Sequence, residues 1–448
     1  MMPSLKFMPP SARYQQRGAA ALIVTMLLLF GSSIVAFYLN RGLVFEQKAS
    51  ANQLRSTSAF EMGEAGIEWA TGMLNNPLDV TATCTTPNAA SALLSFRKKY
   101  VQNGATPQIT PAALAGTSFP GCKVNGAALT CDCPAAGGTA SLGTAVQPGF
   151  TVTFAAVSKN GTPLGTPAYP VANSDDEAVL VTATGCTAQA GTCLASSTDR
   201  DATATVSVIL KLKPLLRSAP AAALTCGLAC DVGSTGNFHV GNYDAASNGI
   251  TINAGGAVPN AIGQVSTIPG QPPLNSIIAN DPSLAALASQ TPGSCTDDKM
   301  FGTYFGTTMD AYRTHKSTLQ ITCTSANDCG TQLTAAYAKN WRSFYFYPPG
   351  LELNNITLGS SNDGVTIVTP AAIKFNGTAS IYGLVFSNEA VNSNIGTGNS
   401  DIYGAMITCE SYQSNGNGSV IFDPDALNST RRDTAIFVRV PGSWRDFN

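Results

Sequence analysis

Twelve cysteines and two histidines are the side chains with the most chemistry to offer in this chain. An even number of thiols beside so few imidazoles favours disulfides formed in an oxidising compartment over zinc sites or cytosolic thiols. Cys186 and Cys193 bracket six residues after an expected strand, Cys323 and Cys329 bracket five, and Cys226 lies four positions before Cys230, so each pair can close a local bridge. Cys122, Cys131 and Cys133 crowd one loop with Cys84 as an available partner, whereas Cys295 and Cys409 have no obvious local one. Twelve thiols permit on the order of ten thousand complete pairings, so connectivity stays open. As metal ligands, Cys131-Asp132-Cys133 and the Cys226 to Cys230 pair lack a second CxxC or paired histidines at zinc spacing, and neither a metal nor a cofactor is expected.

His239 and His315 stand 76 positions apart, which predicts exposed or hydrogen-bonded imidazoles, not a catalytic base. No nucleophile elbow, HExxH or phosphate-cradling glycine loop occurs. Asp423 and Asp425 form the close acidic pair of the C-terminal region and read as a turn or a weak Ca²⁺ contact. Asp175, Asp176 and Glu177 read as the solvated start of a strand. A chain without these catalytic patterns is expected not to be an enzyme. Its net charge of −2 and 12% charged residues also leave no basic face for nucleic acid.

The elements that carry these residues begin with a membrane segment. Ala19 to Leu39 is an uncharged run of 21 residues, enough to cross about 30 Å of hydrocarbon. Lys6, Arg13 and Arg17 precede it without an acidic residue, which holds the first 18 residues in the cytoplasm and sends the bulk outward. A secretory signal cut after Ala36 is the alternative, with Ile34 bulky for the site two residues before the cut. Helix-forming residues continue through Arg41 to Leu74, and Gly42, Gly63, Gly66 and Gly72 are expected weak points of one long helix.

Beyond Pro77 the chain reads as β-structure. Gly149 to Val157, Glu177 to Thr184 and Ala202 to Leu212 alternate or are β-branched, which predicts an antiparallel sheet for the exported helix to pack on. The turn-rich stretch from Lys213 to Pro220 marks a boundary. After it, Ser380-Ile381-Tyr382-Gly383-Leu384-Val385-Phe386 recurs 21 residues later as Asp401-Ile402-Tyr403-Gly404-Ala405-Met406-Ile407. Related short runs at 249–253, 364–368, 372–375 and 418–422 suggest a β-solenoid-like domain, with a β-sandwich as the alternative. The stretch 266–342 lacks the pattern and reads as an insertion. The expected fold is therefore α+β: a cytoplasmic segment at 1–18, a helix at 19–76, an antiparallel β domain at 77–217 and a β-helix-like domain at 218–448.

The stretch QQRGAAALIVTMLLLFGSSIVA, followed by Glu46-Gln47, Ala51-Asn52-Gln53-Leu54-Arg55 and Glu64-Ala65-Gly66-Ile67-Glu68, resembles the N-terminal region of PilX-type minor pilins of type IV pili. The resemblance covers about the first 75 residues. It implies cleavage by a prepilin peptidase after Gly18, leaving Ala19 as the first mature residue, with methylation there. Ile23, Leu28, Glu46 and Glu64 become assembly positions of the helix. Ile23 stands where major pilins carry a glutamate that neutralises a neighbour's N-terminal amine, which points to a subunit at the leading tip. Implied partners are other minor pilins, the major pilin, the peptidase, the pilus assembly platform and a tip adhesin of the pilus-Y type. Expected locations are the inner membrane, with periplasmic bulk, and then the pilus, with a role in priming, capping or cell adhesion. A type II secretion pseudopilin of the tip class and a surface-anchored β-helix glycan hydrolase are the alternatives.

Overall fold

The computed structural model describes residues 16–87, 93–102, 119–135, 140, 142, 147–159, 174–187, 193, 202–233, 237–288, 295, 298–323, 329–347, 351–389, 391–393, 399–414 and 416–446. A helix of 59 residues runs from Gln16 to Leu74. The chain divides into two compact units, Met1–Ser58 and Ala59–Asn448. In the first, every helix side chain described from 20 to 57 is exposed.

In the second unit, the helix buries Ala59, Gly63, Gly66, Ile67, Ala70 and Leu74, a spacing of three and four residues that marks one face. Gly63 and Gly66 are not weak points. They let the helix lie directly on the antiparallel sheet: a Cβ on Gly66 would meet the Cβ of Ala183 at 2.8 Å, and one on Gly63 would meet Val206 Cγ2 at 3.1 Å. Gly185 is the matching position on the sheet, where a Cβ would collide with the Ala59 carbonyl and the Gly63 amide.

That sheet has six strands and pairs antiparallel throughout. Its order is Ala128–Asp132, Gly121–Asn125, Gly149–Ser158, Ser174–Cys186, Thr203–Lys213 and Ile436–Arg439. Strand Thr203–Lys213 alternates buried and less buried residues, with Val206, Val208, Leu210 and Leu212 inward. Phe150, Val152 and Val181 complete the cluster beneath the helix, and Trp69 lies 5.4 Å from Phe96 and 5.6 Å from Phe150. The sixth strand differs from the expected division, because Ile436–Arg439 lies far beyond residue 218 yet pairs with Thr203–Lys213.

The second sheet contains fifteen strands, all paired in parallel. Its pairings fall into three ladders. The first runs through 318–321, 343–346, 365–369, 383–387, 404–408, 224–226, 252–254 and 277–278. A second runs through 356–358, 379–381, 401–403, 419–421, 239–241 and 265–266. The third joins 351–354, 373–376, 391–393, 412–414 and 230–231. The two copies of the 21-residue repeat are neighbours in register, Ser380 opposite Asp401 through Phe386 opposite Ile407.

Inward residues of the ladders, among them Leu224, Ile252, Phe344, Leu353, Phe375, Val385, Met406 and Tyr412, form one buried core. Outside the first ladder, Met300, Phe301, Phe305 and Tyr312 pack with Leu384, Phe386, Ala405 and Ile407. The stretch 266–342 is thus not set apart from the sheet. It supplies strands Ile277–Ile278 and Thr318–Ile321 and the aromatic cover of one face.

Candidate functional site

Two features stand out, one in each unit. In the first unit the helix offers a long apolar surface. Ile23 is 59% and Leu28 68% exposed. The hydroxyls of Thr25, Ser32 and Ser33 donate to carbonyls three or four residues earlier, so these polar groups satisfy themselves within the helix. The helix is long and apolar enough to cross a membrane. Glu46 is exposed on it. Gly18 and Ala19 lie in the helix, and their side-chain surroundings fall outside what the structure describes.

In the second unit a buried charged junction forms where the long helix ends. Arg97, 8% exposed, sits on the short helix Phe96–Tyr100. Its Nε donates to the Leu74 carbonyl at 3.2 Å, Nη1 to Arg432 O at 3.2 Å, and Nη2 to Ala435 O at 2.6 Å. One guanidinium therefore caps the C-terminal ends of both the long helix and helix Pro424–Asp433, where unsatisfied carbonyls concentrate negative charge. Its plane also lies over Phe437, 4.8 Å from the ring centroid. Beside it, Asn75 exchanges two hydrogen bonds with the backbone of Phe437, at 3.0 and 2.7 Å. These contacts tie the helix end to the strand that returns from the far end of the chain.

The junction extends to the parallel sheet. Arg342 grips Asp363 with two hydrogen bonds of 2.6 and 2.8 Å, and Tyr337 donates to the same carboxylate at 2.8 Å. Lys98 approaches Asp363 at 3.9 Å, and Asn340 donates to Asp79. A cavity of about 30 Å³ lies among Leu74, Arg97, Asn340, Arg342 and Asp433, room for about one water. Burial pulls Arg97 down to about 10, offset in part by Asp433, which leaves it charged at neutral pH. Burial pushes Asp433 up to about 6 against the attraction of Lys98. Burial also works against charge on Asp363, yet the hydrogen bonds and charge of Arg342 hold its carboxyl below the ordinary value. No sequence motif announces this cluster.

The remaining predicted residues take structural places. Glu64 is exposed on the helix, and Glu68 one turn on pairs with Arg439 at 2.5 Å. Disulfides join Cys186 to Cys193, Cys226 to Cys230 and Cys323 to Cys329. The pairings left open by spacing are Cys84 with Cys133, Cys122 with Cys131, and Cys295 with Cys409. Asp423 caps helix Pro424–Asp433 by accepting from the amides of Asp425 and Ala426, and it also accepts from Ser361. His315 accepts from the Ser317 amide through Nδ1, while His239 contacts Ser266. Among the described residues, no group of three or more His, Cys, Asp or Glu side chains could hold a metal.

The chain thus combines an N-terminal helix with an exposed apolar surface and, further along the sequence, a helix-on-sheet layer. Residues 17–68 match the PilX N-terminal family model, a match that spans most of the long helix and ends before the sheets. No curated protein matches it. Among solved structures, the competence-associated pilin ComZ from Thermus thermophilus aligns over 87% of this chain and 97% of its own, at 11% identity and a TM-score of 0.21. At that level of overlap the fold stands on the chain's own geometry.

Proposed function

We propose that the protein is a minor pilin that primes or caps a type IV pilus and supports adhesion at its tip. The observation that carries this reading is the PilX-type segment at residues 17–68, coinciding with a helix whose side chains from 20 to 57 are exposed. Residues 1–18 act as a leader removed after Gly18, and Ala19 becomes the methylated mature N-terminus. The helix at 19–76 is stored in the bilayer and exchanges lipid for neighbouring pilin helices on extraction. Residues 77–217, with the returning strand, form the pilin-like domain. The rest of 218–448 is a β-solenoid-like domain, a reading supported by its three parallel ladders. Ile23 offers no carboxylate for the amine of a subunit above it, which suits a position at the tip.

Other minor pilins, the major pilin, the prepilin peptidase, the assembly platform and a pilus-Y type adhesin are the partners. Mass spectrometry of the native protein from membranes and sheared pili tests this. The expected result is an N-terminus at Ala19 with pilus components co-purifying. A start at Phe37 sinks the pilin reading, and co-purification with secretion components in place of pilus ones assigns the chain to a type II secretion pseudopilus.

A further inference from the structure

The outer face of the second parallel ladder carries half-exposed side chains in rows one strand apart. Register places Asp401 beside Ser419 and Ser419 beside His239. In the adjacent row Tyr382 stands beside Tyr403, their rings stacked at 4.6 Å between centroids, and Tyr403 is followed by Ile421 and then Gly241. At the end of these rows, Tyr243 is 53% exposed. Its hydroxyl lies 2.5 Å from Ser266 Oγ, which in turn lies 2.6 Å from His239 Nε2. A methyl group on Gly241 would come within 3.4 Å of Tyr243 Cε2. The ring therefore rests close over Gly241 with its hydroxyl tethered, so much of the entropy of fixing it for a ligand is already spent.

This combination has a distinct recognition chemistry. A fixed, exposed aromatic ring offers an apolar surface, and the Ser266, His239 and Ser419 groups can each donate or accept. Burial holds the His239 pKa below its ordinary value, and with Nε2 engaged by Ser266 the ring keeps Nδ1 for a ligand. Ser419 donates to Asp401 at 2.6 Å. The sequence between Arg217 and Lys299, which supplies Tyr243, His239 and Ser266, contains no lysine or arginine. An anionic ligand finds no counter-charge from that span. Sugar rings have the matching chemistry: apolar C–H faces edged by neutral hydroxyls.

We propose that this face binds a neutral glycan, with Tyr243 stacked on a sugar ring and Ser266, His239, Ser419 and Asp401 exchanging hydrogen bonds with its hydroxyls. The proposal rests on the adhesion part of the proposed function for its setting and adds the site and the ligand class. The test is calorimetric titration of the full chain, held in a zwitterionic detergent that carries no sugar, with cellohexaose, chitohexaose and, as the anionic control, a galacturonic acid hexamer. Saturable binding of at least one neutral hexamer is expected, weakened about tenfold or more by Tyr243→Ala and by Ser266→Ala, the size of one or two lost hydrogen bonds. Thermal melting is expected to stay unchanged in both variants. Failure of both neutral hexamers to saturate, equal or tighter binding of the anionic hexamer, or wild-type affinity in both variants would overturn the proposal. Incorporation of Tyr243→Ala into pili is scored separately, and there a loss counts against the division between assembly and binding, not against the glycan site.

Discussion

Arg97 holds carbonyls from residues 74, 432 and 435 with a single side chain. Replacing it with methionine keeps the volume and strands those carbonyls, so Arg97→Met is expected to cost about 3–5 kcal/mol, measured by denaturant unfolding in micelles. Arg97→Lys should recover little of it, since an ammonium cannot reproduce the planar fork. Asp433 gives the same junction a pH dependence. Its folded pKa, raised to about 6 by burial, lies above that of an unfolded aspartate, so the folded chain holds this proton more tightly. The stability it contributes is complete below the ordinary carboxylate value and is lost as pH rises through about 6. Asp363 works in the opposite sense, losing its contribution as pH falls through its depressed pKa. Asp433→Asn is expected to flatten the fall in melting temperature between pH 4 and 7 and to raise stability at pH 8 by on the order of 2 kcal/mol. Melting curves across that range check it. None of this was legible in the sequence, because Arg97 and its acceptors are more than 300 positions apart apart from Leu74, and a lone arginine before two lysines reads as a solvated charge run.

Among the elements, the helix-on-sheet contact is the most sensitive to small changes. Gly185→Ala pushes a methyl into the backbone at Ala59 and Gly63 and should cost at least 1–3 kcal/mol, as overpacking does. Gly72 has no neighbour within 4 Å of a built Cβ, so Gly72→Ala is expected to stabilise by up to about 1 kcal/mol through helix propensity. Opposite shifts in melting temperature are the readout. In the first unit, Leu28→Arg places a charge in the apolar run at a cost of about 2.5–3.5 kcal/mol, and loss of the subunit from sheared pili is the expected result. The long helix and the three central strands were legible because their patterns are local: an uncharged run, then alternation. The role of Gly63 and Gly66 was not, since an intrinsic helix penalty says nothing about a close neighbour. The 21-residue repeat announced the parallel register of 380–386 with 401–407 because the two strands carry the same residue types at the same positions.

For the whole molecule, the stretch 266–342 carries more weight than its irregular pattern suggested. Replacing it with a short Gly-Ser linker removes strands 277–278 and 318–321 and the Phe301, Phe305 and Tyr312 side chains from a buried cluster. At about 3–5 kcal/mol for each aromatic, the loss is comparable with the whole 5–15 kcal/mol of a typical domain, so the deleted chain is expected to be degraded or aggregated, as judged by its level in membranes. The pairing of 406–408 with 224–226 and of 436–439 with 210–213 could not be read from short-range signals, because each joins segments about 180 to 230 residues apart. That wiring also sets an order of events in time. A polypeptide emerges from the ribosome with its N-terminus first, so strands 224–226 and 203–213 exist for roughly 200 residues of synthesis before their partners do. Both sheets wait on residues 406–408 and 436–439, and until these arrive each has an edge open to the wrong neighbour. A nascent or truncated chain ending before residue 399 therefore lacks the strands that join each sheet to its earlier segments, and its open edges are expected to make it prone to aggregation.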